Sequence, residues 1–356
     1  MQSRKNFIRI VVKVGSSLIS SKQNVLELKY LKAIIEQING LFDQGKEIVL
    51  VSSGAVACGM SLLRIKQRPK DIASLQAAAA IGQNELMGIY RRLLGRNKRL
   101  CAQVLLTWDD FEDRQRYLNV RKTLLHLLKR KVLPVINEND TVSTDEIRFG
   151  DNDKLSALVA NLIGADLLII LSDVDGLYRL PQKEVIPVVE KITPEINRLC
   201  CNTDKEACVG GMSSKIRAIK IALDVGIPAI IASGKADDSL IKAAIGESVG
   251  TVFIARGQSL KSKKRWIAYG VRPKGTISVD EGAKQALVKN RRSLLSVGIT
   301  GIHGDFEPGE TVSIVDSQQK EFARGEVNFS SSVLALHKGA RLAREVVHRD
   351  NLVVIE

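Results

Sequence analysis

The 356-residue sequence lacks the features that mark membrane-spanning and secreted proteins. No uninterrupted apolar run approaches the roughly 18 residues needed to cross a bilayer. The N-terminal residues contain no apolar stretch of about 7–15 residues followed by a small-residue cleavage site, so no secretion signal is indicated. We therefore expect no membrane association and a cytoplasmic location.

Cysteine and histidine are also scarce, which argues against both a disulfide framework and a zinc site. The cysteines are odd in number and form no CxxC pair. Only His126 among the four histidines precedes residue 303, so few ligands of the zinc-binding type are available. Reduced thiols are expected at Cys58, Cys101, Cys200, Cys201 and Cys208.

Aromatic residues make up only 4% of the chain, while the net charge is +14. Proteins that read single-stranded RNA usually stack its bases on aromatic side chains. Residues 257–356 carry 16 Lys and Arg against 11 Asp and Glu, so the positive excess is not concentrated in the tail. A basic surface spread in this way suits anionic ligands such as nucleotides. Binding of RNA is the less favoured alternative.

The first 255 residues alternate short apolar runs with amphipathic stretches of helical period. The predicted strands are Ile8–Val14, Glu47–Val51, Cys101–Leu106, Val132–Ile136, Leu167–Leu171, Pro228–Ala232 and Thr251–Ile254. The predicted helices are Leu26–Phe42, Ser74–Leu94, Asn119–Lys129, Asp153–Leu162 and Met212–Asp224. Apolar strands separated by helices predict an α/β fold with a mostly parallel sheet sandwiched by helices. Ligands of such sheets bind beyond the carboxyl ends of the strands.

The pattern changes after residue 257. Residues 258–273 are polar and basic, without a helical or strand period, and are predicted to be a linker between a first domain, 1–257, and a second, 274–351. The second domain has short strand-like runs punctuated by glycine, and its shape is predicted to be a small, partly open β-barrel with helical caps. Its runs are Gly275–Val279, Ser293–Ser296, Gly298–His303, Thr311–Val315, Gly325–Val327 and Leu352–Ile355, with helices at Asp280–Lys289 and Ser332–Arg344.

Three glycine-containing loops in the first domain are suited to an anion. They are Lys13–Ser17, Ser52–Ala55 and Gly210–Lys215, and two of them contain lysine. Glycine lets the backbone approach a ligand closely, and the N–H groups at a helix start attract phosphate. No GxxxxGK[ST] or GxGxxG motif is present, which excludes a P-loop and disfavours a dinucleotide site. No covalent nucleophile is evident either, so the loops favour phosphoryl transfer by positioning and charge stabilisation.

Two polar clusters, Asn137–Asp140 and Gly150–Lys154, complete the candidate site. Carboxylates and amides beside a basic nucleotide site suit a substrate with an ammonium group, and they are also able to orient lysines or hold Mg²⁺. A helix cap at Asp151 or Asn152 and a simple turn at Asn137–Asp140 are the structural alternatives.

These motifs together resemble the glutamate 5-kinases of the amino-acid kinase superfamily. The resemblance covers about residues 7–255 and rests on KVGSSLI, VSSGAVACG, LLTWDDFEDRQRYLN, PVINENDTVST, FGDNDKLSALVA, SDVDGLY and GGMSSKIRA. Residues 274–351 resemble the PUA domain attached to many bacterial members. The resemblance implies that ATP phosphorylates the γ-carboxylate of L-glutamate to give L-glutamyl 5-phosphate, the first step of proline biosynthesis.

The family's residue roles carry over where the motifs match. Lys13 and Lys215 resemble the lysines that neutralise charge on the transferring phosphoryl group, and Asp153 resembles the aspartate that orients them. The implied glutamate-binding residues are Ser53, Asn137, Asp140 and Asn152. The implied nucleotide-binding residues are Lys13, Gly15, Ser172, Asp173, Val209, Gly210, Gly211, Met212, Ser213, Ser214 and Lys215.

Two departures from the family pattern concern the nucleotide side. Val209 stands where the family usually has threonine, which removes a hydroxyl but leaves the backbone N–H groups of the loop. The segment Leu180–Val185 is shorter than in relatives, so a contact there with the base is in question.

The resemblance also implies cofactors and partners. Mg²⁺ is expected to be carried by the ATP phosphates, without a protein metal site. A homo-oligomer (dimer or tetramer), feedback inhibition by proline, and product transfer to glutamate-5-semialdehyde dehydrogenase are expected. The alternatives are an RNA-binding protein acting through the PUA-like tail and a kinase of this fold for another amino acid or a nucleoside monophosphate.

Overall fold

A computed structural model describes residues 7–20, 27–142, 152–179, 182–201, 211–255, 262–337 and 340–355. The chain divides into two compact units, which are described separately. The first comprises Met1–Asp110 and Tyr117–Ser259, and the second comprises Phe111–Arg116 and Leu260–Glu356. In the part of the chain that is described, no helix has the length and apolar character needed to span a membrane.

The elements up to residue 253 follow the alternation expected from the apolar pattern. In chain order they are β1 (Arg9–Val14), α1 (Leu28–Asp43), β2 (Glu47–Ser52), α2 (Ala55–Leu62), α3 (Ile72–Gly95), β3 (Cys101–Leu106), α4 (Asp109–Glu112), α5 (Arg114–Lys129), β4 (Leu133–Glu138), α6 (Asn152–Ile163), β5 (Leu167–Ser172), β6 (Tyr178–Arg179), β7 (Glu184–Val185), β8 (Val188–Val189), α7 (Pro194–Cys201), α8 (Met212–Asp224), β9 (Ala229–Ser233), α9 (Ser239–Ala244) and β10 (Thr251–Phe253).

Eight of these strands form one sheet in the order β3-β4-β2-β1-β5-β9-β10-β8. The six strands from β3 to β9 are mutually parallel, which confirms the predicted mostly parallel sheet. Strand β10 is antiparallel to β9, an exception that the apolar pattern did not reveal. The short strands β6 to β8 and the helices α7 and α9 were not predicted either. They are too short for a residue period to be detected.

Strand β1 shows how the two faces of the sheet acquire different roles. Successive side chains of a strand point to opposite faces. Val12 and Val14 are fully buried in the main core, together with side chains of α1, α3 and α9. Lys13, lying between them, points to the opposite face, where α6 and α8 pack together. The charged residue therefore interrupts an otherwise apolar strand at the face where chemistry is possible.

Helices α2 and α3 approach each other closely because glycine lies at their contact. A Cβ atom added at Gly82 would lie 1.9 Å from the carbonyl oxygen of Ala55, and one at Gly59 would lie 1.8 Å from the carbonyl oxygen of Ala78. Real Cβ atoms do not come this close to backbone oxygen. The contact therefore requires glycine on both helices, and it fixes α3 against the loop that follows β2.

The second unit is built on a separate five-stranded sheet, as predicted for the PUA-like domain. Its order is β12-β11-β13-β14-β15, and no pairing joins β12 to β15 among the described residues. The elements are α10 (Ser262–Arg265), a π-helical turn (Trp266–Gly270), β11 (Gly275–Val279), α11 (Glu281–Val288), β12 (Ile299–Gly304), β13 (Thr311–Val315), β14 (Glu321–Val327), α12 (Ser331–Leu336) and β15 (Val347–Val354).

Three predictions in this unit were wrong in extent. The run 293–296 forms only a single bridge, between Leu294 and Val347, followed by a 3₁₀ turn at Ser296–Gly298. Helix α12 ends at Leu336 instead of continuing to residue 344. Gly339, which follows in the sequence, disfavours continuation of a helix. Strands β14 and β15 are longer than predicted, since charged side chains along them conceal the alternation.

The segment predicted to be a linker also contains ordered helical structure. Residues 262–270 are helical, and Trp266, Ile267 and Ala268 are buried. The indole Nε1 of Trp266 donates to the carbonyl of Phe111 at 3.0 Å, and the Arg114 guanidinium lies 4.9 Å from the indole ring. Because basic residues precede this short apolar segment, the sequence pattern did not reveal it. The prediction of an irregular linker is therefore wrong for 262–270.

We expect Gly82→Ala to lower the free energy of unfolding by about 1–3 kcal/mol or more, because the added methyl group overlaps backbone that cannot move independently. Gly95→Ala, at the end of the same helix, is the control, since nothing lies within 4 Å of its Cβ position. It is expected to be neutral or to stabilise by up to about 1 kcal/mol. Denaturant titration compares the two, and equal stabilities would show that the close helix contact is not a constraint.

Candidate active site

The carboxyl ends of the central strands bring the predicted loops to one edge of the sheet. Val14 is in register with Ser52 of β2 and with Leu171 of β5. Beyond these ends, Ser53 N–H donates to the carbonyl of Val14 at 3.2 Å, and Gly15 N–H donates to that of Leu171 at 3.4 Å. The sheet thus places loops that are far apart in sequence next to each other.

A buried ion triad occupies one side of this edge. The Lys13 ammonium lies 2.6 Å from Oδ1 of Asp153, and the Lys215 ammonium lies 3.5 Å from Oδ2. The hydroxyl of Ser214 donates to the same Oδ2 at 2.6 Å. Lys13, Asp153 and Lys215 are 5%, 1% and 7% exposed, so all three ionic groups are largely withdrawn from water. The structure brings together the three residues to which the sequence assigned catalytic roles.

Two of the three triad residues lie at the starts of helices, one on α6 and one on α8. Asp153 lies in the first turn of α6, and Lys215 lies in the first turn of α8, which Gly211 precedes as its N-cap. The start of α6 is held further by Lys154, whose ammonium lies 3.7 Å from the ring centroid of Trp108. Backbone N–H groups at the start of a helix favour anions.

Burial and neighbouring charges shift the pKa values of Asp153 and Lys215. Burial raises the pKa of Asp153, but the ammonium groups of Lys13 and Lys215 outweigh this effect and hold the pKa below its ordinary value. Burial lowers the pKa of Lys215, only partly offset by Asp153, and the nearby positive charge of Lys13 lowers it further. One carboxylate thus serves two cations, and the site keeps a net positive charge that suits phosphate.

A second cluster contains amides instead of charges. The side-chain Nδ2 of Asn152 donates to Ser53 Oγ and to Asn137 Oδ1, each at 2.9 Å. Asn137 Nδ2 in turn donates to Oε1 of Gln83 on α3 at 2.9 Å. Three predicted glutamate-binding residues are therefore in contact. The capping alternative for Asn152 is wrong, since its Oδ1 accepts no hydrogen bond among the described residues. Asp151, the other proposed cap, lies outside them.

Asp140 lines a cavity of about 310 Å³ between α3 and the ends of β3 and β4, together with Gln83 of this cluster. The predicted turn at Asn137–Asp140 is correct only for the residues after Glu138, because β4 extends to Glu138. Burial raises the pKa of Asp140 to about 6, with Arg68 exerting a weaker opposite effect. Because burial makes ionisation of this carboxyl group unfavourable in the free protein, a bound cation stabilises its ionised form more strongly. The cavity is lined by Ala79, Ala80, Gln83, Asn84, Gln103, Leu105, Glu138, Asn139, Asp140 and Thr141.

The predicted nucleotide-binding residues are only partly described. Ser172 ends β5, and its hydroxyl donates to Oδ1 of Asp173 at 3.2 Å. Asp173 is exposed and acts electrostatically on Lys215, so the two lie on the same side of the site. Met212 and Ser213 are half-buried at the start of α8. Val209, Gly210 and Leu180 lie outside the described residues, so the two departures noted there are not resolved.

Sequence reasoning missed Gln83 and Tyr90, which support the site from α3. Tyr90 is fully buried and its hydroxyl shares a 2.6 Å hydrogen bond with Ser52 Oγ. Gln83 follows Ala79 by four residues on the buried stripe of the helix. A polar residue at a predicted core position is the signal that was available, because burial of an amide requires partners.

The described residues contain no group of three or more His, Cys, Asp or Glu side chains arranged to hold a metal ion. Within the triad, both oxygens of Asp153 already face cations or the Ser214 hydroxyl.

Family models and known proteins match this chain over most of its length. The model of the amino acid kinase family matches residues 9–233, and that of the PUA domain matches residues 275–349. The glutamate 5-kinase of Thermoanaerobacter sp. (strain X514) is 43% identical over 98% of this chain and 98% of that protein. The glutamate 5-kinase of Trichlorobacter lovleyi is 44% identical over 98% of this chain and 96% of that protein. A solved UMP kinase structure from Bacillus anthracis is 15% identical, with a TM-score of 0.48, over 71% of this chain and 98% of that chain.

We expect Asp153→Asn to lower the free energy of unfolding by about 3–5 kcal/mol near pH 7, because it leaves two buried ammonium groups without their counter-charge. Since folding lowers the pKa of Asp153, its stabilisation is full above the ordinary carboxyl pKa and is lost as the pH falls through the folded value. The difference from wild type should therefore shrink in acid.

Denaturant titrations at several pH values test this expectation. Glu36→Gln is the control, because its ion pair with Lys32 is exposed and is expected to contribute less than about 1 kcal/mol. A difference between wild type and Asp153→Asn that stays constant with pH would contradict the assignment of the effect to charge.

Proposed function

The chain belongs to the glutamate 5-kinases of the amino acid kinase family, and from this premise we propose how its site works. The enzyme uses ATP to phosphorylate the γ-carboxylate of L-glutamate, giving L-glutamyl 5-phosphate and ADP in the first step of proline biosynthesis. In the reaction, a carboxylate oxygen forms a bond to the γ-phosphorus while the bond from that phosphorus to the β–γ bridging oxygen breaks. No proton has to be transferred, because the attacking carboxylate is already ionised.

Lys13 and Lys215 stabilise the charge that develops on the transferring phosphoryl group. The observation that carries this proposal is the buried triad, in which two ammonium groups share one carboxylate. Phosphoryl transfer spreads negative charge over the equatorial oxygens, and fixed cations in a dry site stabilise it strongly. Lys13 on β1 and Lys215 on α8 approach the carboxylate through different oxygens, so they are held as a pair.

Asp153 positions the two lysines and takes no proton. The lysines repel each other, and Asp153 lies between them, with one oxygen facing each ammonium group. A general base has no task here, so this aspartate acts only through the lysines.

Ser53, Asn137, Asn152 and Asp140 bind glutamate. The Oδ1 of Asn152, which has no hydrogen-bond partner within the described part of the chain, is an acceptor for an ammonium hydrogen, and Asp140 supplies the negative charge for the same α-ammonium group. The γ-carboxylate then extends towards the triad, since Asn152 and Asp153 are consecutive at the start of α6.

ATP binds on the basic side, at the two helix starts and the ends of β1 and β5. The proposed contacts come from Gly15, Ser172, Asp173 and the loop Val209–Lys215. Mg²⁺ belongs to the proposal as a companion of the ATP phosphates, whose charge it neutralises. The occupied oxygens of Asp153 fit this arrangement better than a metal held by the protein.

The remaining family properties belong to the same proposal. They are a cytoplasmic homo-oligomer, inhibition by proline, transfer of the labile acyl phosphate to glutamate-5-semialdehyde dehydrogenase, and a kinase domain at 1–257 followed by a PUA-like domain at 274–351. The curated relatives named above are glutamate 5-kinases, which favours glutamate over the alternative acceptors, another amino acid or a nucleoside monophosphate.

The activity is tested by ADP release with Mg·ATP and L-glutamate, with and without proline. We expect release to depend on glutamate and to decrease when proline is added. Release with glutamate equal to that with buffer would refute the assigned reaction.

Lys215→Ala should lower kcat by roughly 10²–10⁵-fold while changing the KM for glutamate little, because the ammonium acts on charge that appears during transfer. Lys220→Ala is the control, since Lys220 is an exposed lysine on the same helix. Steady-state kinetics of both variants distinguish them. A kcat for Lys215→Ala within about threefold of wild type, only ~0.6 kcal/mol, would remove Lys215 from the mechanism.

Asp140→Asn should raise the KM for glutamate by roughly 10–150-fold, since it deletes a charge-assisted contact to the ammonium group. The KM for ATP should change little, because ATP lies on the opposite, basic side. Each substrate is varied in turn, and an equal or larger effect on ATP would place Asp140 beside the nucleotide.

The same contact predicts a pH dependence. Asp140 must be ionised to bind ammonium, and its pKa is raised to about 6. The kcat/KM for glutamate should therefore fall about tenfold per pH unit below that value. Asp140→Asn should lack this particular decline, and a decline of the same steepness in the variant would assign it to another group.

A further inference from the structure

Gln83 anchors a chain of three amides that ends at the glutamate side of the site. Asn152 donates to Asn137, and Asn137 donates to Gln83, each bond measuring 2.9 Å. Both bonds are buried, and Gln83 itself is only 8% exposed. It comes from α3, an element that carries none of the residues assigned to catalysis or substrate binding.

The hydrogen bonds give the chain a direction. Each amide has one oxygen that accepts and one NH₂ group that donates. Rotating the Asn137 amide by 180° would place its oxygen against Gln83 Oε1 and its nitrogen against Asn152 Nδ2, and both hydrogen bonds would be lost. The acceptor of Gln83 therefore determines which way Asn137 faces, and Asn137 then determines which way Asn152 faces.

The surroundings of Gln83 restrict its side chain. Its Nε2 has no hydrogen-bond partner among the described residues, and Gln83 lines the 310 Å³ cavity together with Glu138 and Asp140. Among the described residues, the bond from Asn137 to Oε1 is therefore the one that holds this amide. The adjacent Gly82 holds α3 against α2, so the helix cannot easily withdraw the side chain.

The consequence appears at Asn152. Its NH₂ group is used by Asn137 and Ser53, and its Oδ1 is left without a partner among the described residues. The oxygen is therefore kept for a donor on the substrate. With the amide reversed, Asn152 would present NH₂ to the α-ammonium group and repel it.

We propose that Gln83 is a positioning residue for glutamate binding, which acts by fixing the orientation of the Asn137 and Asn152 amides. The inference rests on the proposed function of these two asparagines as glutamate ligands. Gln83 itself does not touch the reacting atoms. Its effect belongs in the affinity for glutamate, with little change in the affinity for ATP.

The test compares Gln83→Met, which removes the acceptor at nearly constant size, with Gln83→Glu, which retains an acceptor oxygen whether or not it is ionised. For Gln83→Met we expect the KM for glutamate to rise roughly 5–150-fold, because a buried donor of Asn137 is left unpaired. The KM for ATP should stay within about twofold. Gln83→Glu should return the KM for glutamate to within about threefold of wild type.

Gln37→Met is the matched control for a purely structural effect. Gln37 is also 8% exposed, and its Oε1 accepts from the backbone N–H of Leu240 at 2.9 Å, in the first turn of α9. Its loss should lower the melting temperature but leave both KM values unchanged. If Gln83→Met does not fold, Gln83→Leu serves as a second variant without the acceptor.

Two results would overturn the proposal. One is a KM for glutamate in Gln83→Met within about twofold of wild type, and the other is a Gln83→Glu variant as impaired as Gln83→Met. Failure of the proposed function would be distinguishable from both results, because wild-type enzyme would then show no ADP release that depends on glutamate. A folded Gln83→Met variant whose two KM values rise equally would also contradict the assignment.

Discussion

The site depends on one costly interaction, the burial of two lysines against a single aspartate. Removing three ionic groups from water costs several kcal/mol per ion before pairing compensates, so such a triad contributes little to net stability. It persists because Lys13 lies on a central strand, Asp153 on the first turn of α6 and Lys215 on the first turn of α8. The rest of the fold holds these elements together, and with them the two ammonium groups that we propose act on the phosphoryl group.

The first turn of α6 divides the site into two chemically different ends. Consecutive helical residues point in different directions and do not face a common partner. Asp153 therefore reaches the two lysines, while Asn152 reaches Ser53 and Asn137. One helix start thus supplies a residue to the proposed charge-stabilising end of the site and a residue to the proposed glutamate-binding end. A small shift of α6 would affect both ends together, which explains why Lys154 and Trp108 hold it from outside.

The amide end is supported from α3, whose position depends on glycine. Gly59 and Gly82 allow α2 and α3 to touch through their backbones, and this contact places the buried face of α3 beside β2 and β4. Tyr90 then reaches Ser52, and Gln83 reaches Asn137. Buried polar groups of this kind are stable only when each has a partner, so they confine the neighbouring side chains to one arrangement.

The amino-acid sequence by itself determined the alternating pattern, the parallel sheet, the loops suited to phosphate and, through its motifs, the family and the residues that we propose for the site. Those properties are local, since apolar periodicity and short motifs are read within about twenty residues. Only the tertiary structure decided the contacts. Asp153 lies 62 residues from Lys215 and 140 from Lys13, and Gln83 lies 54 from Asn137. The buried Trp266 anchor in a basic stretch, the antiparallel strand β10 and the direction of the amide chain likewise depend on partners distant in sequence, which no local pattern encodes.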